Sequence, residues 1–302
     1  MSKSIKCAIL LAAYNGLDYI KEQVESVATQ VDVKAMIFIS VDLSQDETYQ
    51  WCRQLENERN NVVVLPYGEK FGGAGKNFFR LFRDVDFKEF DYIALSDQDD
   101  IWYPDKLSRA IQSIKSNNVD AYSSNVVAFW ADGRRRLIDK AQPQRKLDYF
   151  FEAAGPGCTY VMNQKLAVDF QNFLRKTPAT NNVILHDWLL YAFARSQGYS
   201  WLIDSVPCLD YRQHENNQVG VNTTFSSFFK RAKYVFFDGV TQVNQLIDIL
   251  PSNAEFTKYN LFSRRDVFCL LLQSNELRRK PVERLYVVMV LLITLILGVR
   301  KT

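Results

Sequence analysis

Three carboxylates stand within four residues at Asp97, Asp99 and Asp100, directly behind the apolar run Tyr92-Ile93-Ala94-Leu95. The apolar run reads as a buried strand. The carboxylates therefore lie where that strand leaves its sheet. Packed like charges repel, so this edge calls for positive charge among them. A hard divalent cation with oxygen ligands meets that need and would also hold phosphates. Pro104 and Asp105 then open a helix, where proline is tolerated in the first turn. An acidic turn that merely caps a helix is the plainer alternative.

The flanking sequence repeats one arrangement. Residues 5–13 form a near-continuous apolar run, the pattern of a strand buried on both faces. Residues 17–30 have helical periodicity, with Ile20, Val24, Val27 and Ala28 on one side. Strands follow at 35–41, 62–65 and 92–95, and helices at 47–59 and 72–85. Strand and helix in alternation imply a Rossmann-like, mostly parallel α/β sheet with helices on both faces. Such sheets bind ligands at the carboxyl ends of their strands. Past residue 107 the sequence predicts strands within 119–130, a helix over 185–194 and a strand over 201–206. From about residue 222 onward it is rich in Phe, Lys and Arg and reads as a helical appendage.

With 302 residues, the chain suits one large domain plus an appendage. Its formal charge of +3 is too weak to point to nucleic acid. The five cysteines are scattered and no pair has metal spacing, which suits a reduced cytosolic setting. The first residues, Met1 to Lys6, lack the apolar stretch of a signal peptide. Residues 285–299 are unbroken apolar sequence apart from one threonine and one glycine. Arg278, Arg279, Lys280 and Arg284 precede them, and Arg300 and Lys301 follow. As a helix this segment would be roughly 22 Å long, against ~30 Å of hydrocarbon in a bilayer. Three readings are open: a buried core helix, a short membrane-spanning helix, and a helix dipping into one leaflet with basic residues on anionic headgroups. Charge on both flanks favours the membrane.

The run Ser96-Asp97-Gln98-Asp99-Asp100-Ile101-Trp102, followed by Pro104-Asp105-Lys106-Leu107, resembles the acidic motif of family-2 glycosyltransferases, enzymes with the GT-A fold. It is most similar to their rhamnosyltransferase-like branch. The resemblance covers roughly residues 5–220, through five segments in order. It implies that Asp97 meets the ribose and that Asp99 holds the metal, Mg²⁺ or Mn²⁺. Tyr14, in Ala12-Ala13-Tyr14-Asn15, matches a tyrosine that stacks on the base, with Ala12 where the family has threonine. Asp42 matches an aspartate that accepts the imide N–H of uracil or thymine, a donor cytosine lacks. Ser44 or Asp46 nearby would cap the following helix. The glycine-rich segment 71–78 departs from the Walker pattern but resembles the family's stretch beside the diphosphate, which Lys76 would neutralise.

Asp187, in Ile184-Leu185-His186-Asp187-Trp188, matches the catalytic base, which takes the acceptor hydroxyl's proton. Trp188 would wall the acceptor sugar. His214, in the segment 211–220, matches a later ligand to the same metal, and Arg212 there would meet the diphosphate. Cys158 and Thr159 match the stretch lining the sugar pocket. The Gln-x-x-Arg-Trp motif of processive members is absent, which implies transfer of one sugar. Asp105 is expected to cap its helix.

The resemblance thus implies a metal-dependent, inverting transfer of one sugar, with dTDP-L-rhamnose as donor and a lipid-linked surface glycan or O-antigen as acceptor. A UDP-hexose donor and a non-catalytic subunit of a polysaccharide synthase are the alternatives. The expected organisation is a catalytic domain over 1–221, a helical appendage over 222–284 and a membrane-associated helix over 285–299. The expected place is the cytoplasmic face of a bacterial membrane.

Overall fold

The computed structural model describes residues 4–214, 239–251 and 259–298. Strand β1 (Lys6–Ala13) is buried along nearly its whole length, as its apolar sequence requires. It pairs in parallel with β2 (Lys34–Val41) on one side and β4 (Tyr92–Ser96) on the other. β3 (Val62–Val64) continues the sheet beyond β2. Helices α1 (Ile20–Ala28), α2 (Thr48–Glu58) and α3 (Ala74–Asp84) connect these strands. The expected alternation is therefore present, and the mostly parallel α/β class with it.

The far half of the sheet breaks the parallel pattern. Its order is β10-β6-β9-β4-β1-β2-β3, with β6 (Ala121–Ser124), β9 (Val161–Asn163) and β10 (Trp201–Asp204). β9 runs antiparallel to both β4 and β6. With three residues it is too short to show any period. A second sheet of order β5-β11-β7-β8 contains β5 (Ile101–Trp102), β7 (Val126–Trp130), β8 (Arg135–Ile138) and β11 (Leu209–Gln213). β5 follows the acidic motif directly, and its antiparallel pairing with Leu209 and Asp210 returns the chain to that motif.

Some local expectations shift. α1 begins at Ile20 rather than 17, because Tyr19 and Ile20 first turn back onto the Gly16 carbonyl. α4 (Lys106–Asn117) follows Asp105, whose side chain makes no capping hydrogen bond and pairs with Arg109 instead. At α2 the N-cap is Glu47, whose side chain makes no capping hydrogen bond; Asp46, one residue earlier, accepts from the Thr48 main-chain N–H at 3.1 Å. α5 (Gln164–Lys176) is capped by Asn163, which accepts from the Leu166 N–H. α6 (His186–Ser196) lies one residue on from its expected start.

The chain divides into two compact units. The first holds Met1–Ala141, Ala154–Asp187 and Tyr199–Gly220, with both sheets. The second holds Gln142–Ala153, Trp188–Gly198 and Val221–Thr302. This is not the division in chain order that the sequence suggests. Buried charge ties segment 142–153 to the C-terminal part, and Tyr191 and Arg195 of segment 188–198 reach the same Asp148. Arg279 is 2 % exposed, and its guanidinium meets Asp148 at 3.3 Å, Glu152 at 3.2 Å and the Ala153 carbonyl at 2.7 Å. Buried charges persist only when matched in this way.

The second unit also contains α7 (Gly239–Ile249), α8 (Arg264–Leu272) and α9 (Pro281–Leu297). The rest of the expected appendage, at 222–238 and 252–258, lies outside the described residues, as do 215–220 and Val299. The apolar helix starts four residues earlier than residue 285, with Pro281 in its first turn. No helix among the described residues is long and apolar enough to cross a membrane.

Candidate active site

The central strands release three candidate side chains at one sheet edge. Ala13 is in register with Val41, and Leu11 with Ser96. Tyr14, Asp42 and Asp97 are thus the residues that follow the ends of three adjacent parallel strands. Ala12 stays in the sheet, buried opposite Ser40.

Tyr14 is half exposed, and its main chain is held by Gln98. The Tyr14 N–H donates to Gln98 Oε1 at 2.8 Å, and Gln98 Nε2 donates to the Tyr14 carbonyl at 2.9 Å. Gly16 makes room for that amide, since a Cβ there would sit 2.1 Å from Gln98 Oε1. Asp42 is 3 % exposed. Its carboxylate accepts from the N–H groups of Leu43, Phe71 and Gly72 at 2.7, 2.8 and 2.9 Å. It therefore anchors the glycine-rich segment to the end of β2. Lys76 is exposed in the first turn of α3, where the helix dipole adds to its own positive charge. Asn77 beside it turns inward and donates to the Ala13 and Ser40 carbonyls at 3.2 and 3.0 Å, joining β1 to β2.

The acidic turn is more concentrated than its sequence alone conveys. Asp97, Asp100 and Cys158 each bring a possible ligand atom within 4.8 Å of one another. Burial raises the Asp97 carboxyl to about 7, helped by the charges of Asp99 and Asp187 and opposed by Lys106. Asp100 is fully buried and also lies well above the usual carboxylate range, from burial first and then from Asp99 and Asp97. Its Oδ1 accepts from the Arg212 main-chain N–H at 3.3 Å, while Oδ2 is buried without a hydrogen-bond partner.

Lys106 belongs to no motif role in the sequence, yet the structure gives it a central place. It is fully buried, donates to the Cys158 carbonyl at 2.5 Å and lies 3.0 Å from the Trp102 ring centroid. Burial lowers its ammonium to about 8. A lysine in a first helical turn opposes the helix dipole, and that misfit is the one local signal of its special place.

Asp99 meets His214, with Oδ2 and Nε2 at 2.8 Å, and His214 stacks on Tyr19. Carboxylate oxygen and imidazole nitrogen are suitable donors for Mn²⁺ or Mg²⁺. The Asp97–Asp100–Cys158 group suits such an ion less. Its thiol is soft, burial raises the thiol pKa further, and Lys106 already supplies local positive charge. Arg212 braces the turn. Its Nε donates to the Asp99 carbonyl at 2.8 Å, its guanidinium pairs with Glu22, and it lies over the Tyr19 and Phe129 rings.

Asp187 sits in the first turn of α6, close enough to Asp97 to raise its pKa. Two glycines shape this approach. A Cβ on Gly75 would lie 2.1 Å from the Ile184 carbonyl oxygen, and one on Gly157 would lie 2.6 Å from His186 Nε2 and 3.1 Å from Asp187 Cβ. His186 stacks on Phe78 at 4.0 Å, and burial drops its imidazole to about 3, so it is neutral. Cys158 and Thr159 are fully buried, and the Thr159 hydroxyl donates to the Pro156 carbonyl at 2.7 Å. Both lie behind the site's surface. Trp188, 8 % exposed, belongs to the second unit, where its Nε1 donates to the Tyr149 carbonyl at 3.0 Å.

The sequence model of Glycosyl transferase family 2 matches residues 8–164. The dTDP-rhamnosyl transferase RfbG of Shigella flexneri is 44% identical over 292 residues, covering 94% of this chain and all of the relative. Among solved structures, S. aureus TarS 1-349 in complex with UDP-GlcNAc aligns with a TM-score of 0.55 at 15% identity, covering 90% of this chain and 82% of that one. The Pyrobaculum calidifontis mannosyltransferase PcManGT, in complex with GDP-Man and Mn²⁺, aligns with a TM-score of 0.53 at 12% identity over 98% and 88% of the two chains. These structural likenesses concern the fold.

Proposed function

The chain belongs to glycosyl transferase family 2, and we propose that it transfers one L-rhamnose from dTDP-L-rhamnose to a hydroxyl of a lipid-linked glycan, with inversion. The observation that carries this reading is the approach of Asp187, at the start of α6, to Asp97, which follows β4: the Asp187 charge adds to the rise of the Asp97 carboxyl, and a Cβ on neighbouring Gly157 would lie 3.1 Å from Asp187 Cβ. It brings a base to the edge where a nucleotide sugar would lie. Similarity to a named dTDP-rhamnosyl transferase along the relative's whole length supports the donor.

Asp187 takes the acceptor hydroxyl's proton as its oxygen attacks the anomeric carbon from the face opposite the diphosphate. The bond to the diphosphate breaks as the new glycosidic bond forms. Tyr14 stacks on the thymine, and Asp42 accepts its imide N–H while holding the glycine-rich segment. Asp97 takes the ribose hydroxyls. Lys76 and Arg212 offset diphosphate charge. Asp99 and His214 would hold Mg²⁺ or Mn²⁺, which when bound supplies positive charge against the departing diphosphate. Cys158 and Thr159 back the sugar pocket. A lipid-linked acceptor assigns the enzyme to the cytoplasmic face of a bacterial membrane.

Calorimetric titration with dTDP-rhamnose, UDP-glucose, UDP-galactose and GDP-mannose, each with and without Mn²⁺, tests the proposal. Metal-dependent preference for dTDP-rhamnose is expected. Preference for a UDP-sugar would keep the mechanism and discard the rhamnose. Absence of binding to every donor would overturn the site.

A further inference from the structure

Beyond Arg284 helix α9 is apolar but for Thr294, and among the described residues one of its faces is buried while another stays exposed. Val287, Leu291 and Thr294 are buried, at the spacing of one helical face. Leu285, Met289, Leu292 and Ile296 follow the same spacing on another face and are between 43% and 70% exposed. On α8, Phe268 and Leu272, one turn apart, are 52% and 74% exposed. A soluble surface seldom leaves this much apolar area bare without a partner.

The charges around the bare face identify the partner. α8 and α9 pack against each other. Arg264, at the start of α8, donates to the Ile296 carbonyl near the end of α9, so the two helices run antiparallel. Arg264 and Arg265 thus mark one end of the pair, and both are exposed. Lys280 and Arg284 mark the other end. The acids here are engaged: Glu283 pairs with Arg278 at 2.8 Å, and the Asp266 carboxylate accepts the Asn260 main-chain N–H at 3.1 Å. A two-fold dimer through this face would bring basic ends against basic ends in either direction. An anionic lipid surface instead accepts the apolar stripe in its acyl boundary and the cations at its headgroups.

We propose that α8 and α9 form a membrane-resting pair that lies in the plane of an anionic leaflet, with Leu285, Met289, Leu292 and Ile296 as the inserted face. The helices do not cross. α9 has 17 residues and ends at Gly298, whose φ of 71° stops it, and its length of roughly 25 Å falls short of ~30 Å of hydrocarbon. A lipid-linked acceptor gives this binding its use. Vesicle binding involves neither donor nor acceptor, so the membrane surface and the sugar chemistry can fail separately.

The test is flotation of the full chain with vesicles of phosphatidylcholine alone and of phosphatidylcholine mixed with phosphatidylglycerol. Flotation with the mixed vesicles, weakened by salt, is expected. The double variant Leu285→Glu/Ile296→Glu changes exposed side chains only and should lower binding about tenfold or more. Arg265→Glu/Lys280→Glu should lower binding to the mixed vesicles and leave any weak binding to phosphatidylcholine unchanged. Release of the wild type by an alkaline carbonate wash would support resting over spanning. Retention after the wash, no flotation with either vesicle, or a stable dimer in lipid-free solution that the Leu285/Ile296 variant dissociates would each overturn the proposal.

Discussion

Gln98 grips the main chain of Tyr14 from both sides, accepting its N–H at 2.8 Å and donating to its carbonyl at 2.9 Å. The middle residue of the acidic run thereby fixes the loop that carries the candidate base-stacking ring. Gln98→Ala removes two hydrogen bonds, each of about 1 kcal/mol. It should weaken dTDP binding roughly tenfold while leaving the circular dichroism spectrum unchanged. An unaltered dTDP affinity would mean that the loop holds its shape without Gln98.

Asp187→Asn keeps the size of the side chain and removes its basicity. Donor affinity should persist while turnover falls by about 10²-fold or more. Near-normal turnover in a steady-state assay would place the base elsewhere.

Asp99 and His214 are expected to act together on a cation. Asp99→Ala and His214→Ala should each abolish the gain in donor affinity that Mn²⁺ brings, with little change in metal-free binding. Calorimetry with and without Mn²⁺ reads this directly, and an intact gain in both variants would remove them as ligands.

Gly75 lies within α3, where alanine would ordinarily favour the helix by ~1 kcal/mol. Here the sign should reverse, because the added Cβ would come within 2.1 Å of the Ile184 carbonyl oxygen. Gly75→Ala should lower the melting temperature and also cut turnover, since the displaced turn carries Asp187. A melting temperature at or above wild type would refute the close approach.

His186 couples stability to pH. Burial pushes its imidazole down to about 3, below the ordinary 6.5 of histidine, so below pH 6.5 the unfolded chain takes up a proton that the folded chain refuses. Its contribution is present above pH 6.5 and is lost as pH falls toward 3, with a slope approaching 1.4 kcal/mol per pH unit. His186→Gln should flatten this part of the stability curve, measured by urea unfolding at several pH values. A slope equal to wild type would show that His186 is not kept neutral.

Much of this protein was legible along the chain. The runs that became β1, β2 and β4 are apolar because strands buried on both faces must be. The motifs at their carboxyl ends follow from the parallel topology. Tyr14, Asp42, Asp97 and Asp187 could be singled out from the residues and the family resemblance they carry. Other features left little local trace. Nothing near Asp148 announces Arg279, and β9 is too short to reveal its direction.

Sequence alone determined the alternation of strands and helices and the placing of carboxylates at a strand end, because burial imposes its period on neighbouring residues. Tertiary structure decided that Lys106 turns inward to the acidic turn, that Asp42 holds the Phe71–Gly72 backbone and that Gln98 holds Tyr14. It also decided that segments 142–153 and 188–198 join the C-terminal unit. Each of these depends on a partner distant in the chain. Hydrogen bonding and charge matching across such distances are set by three-dimensional packing, which no local period encodes.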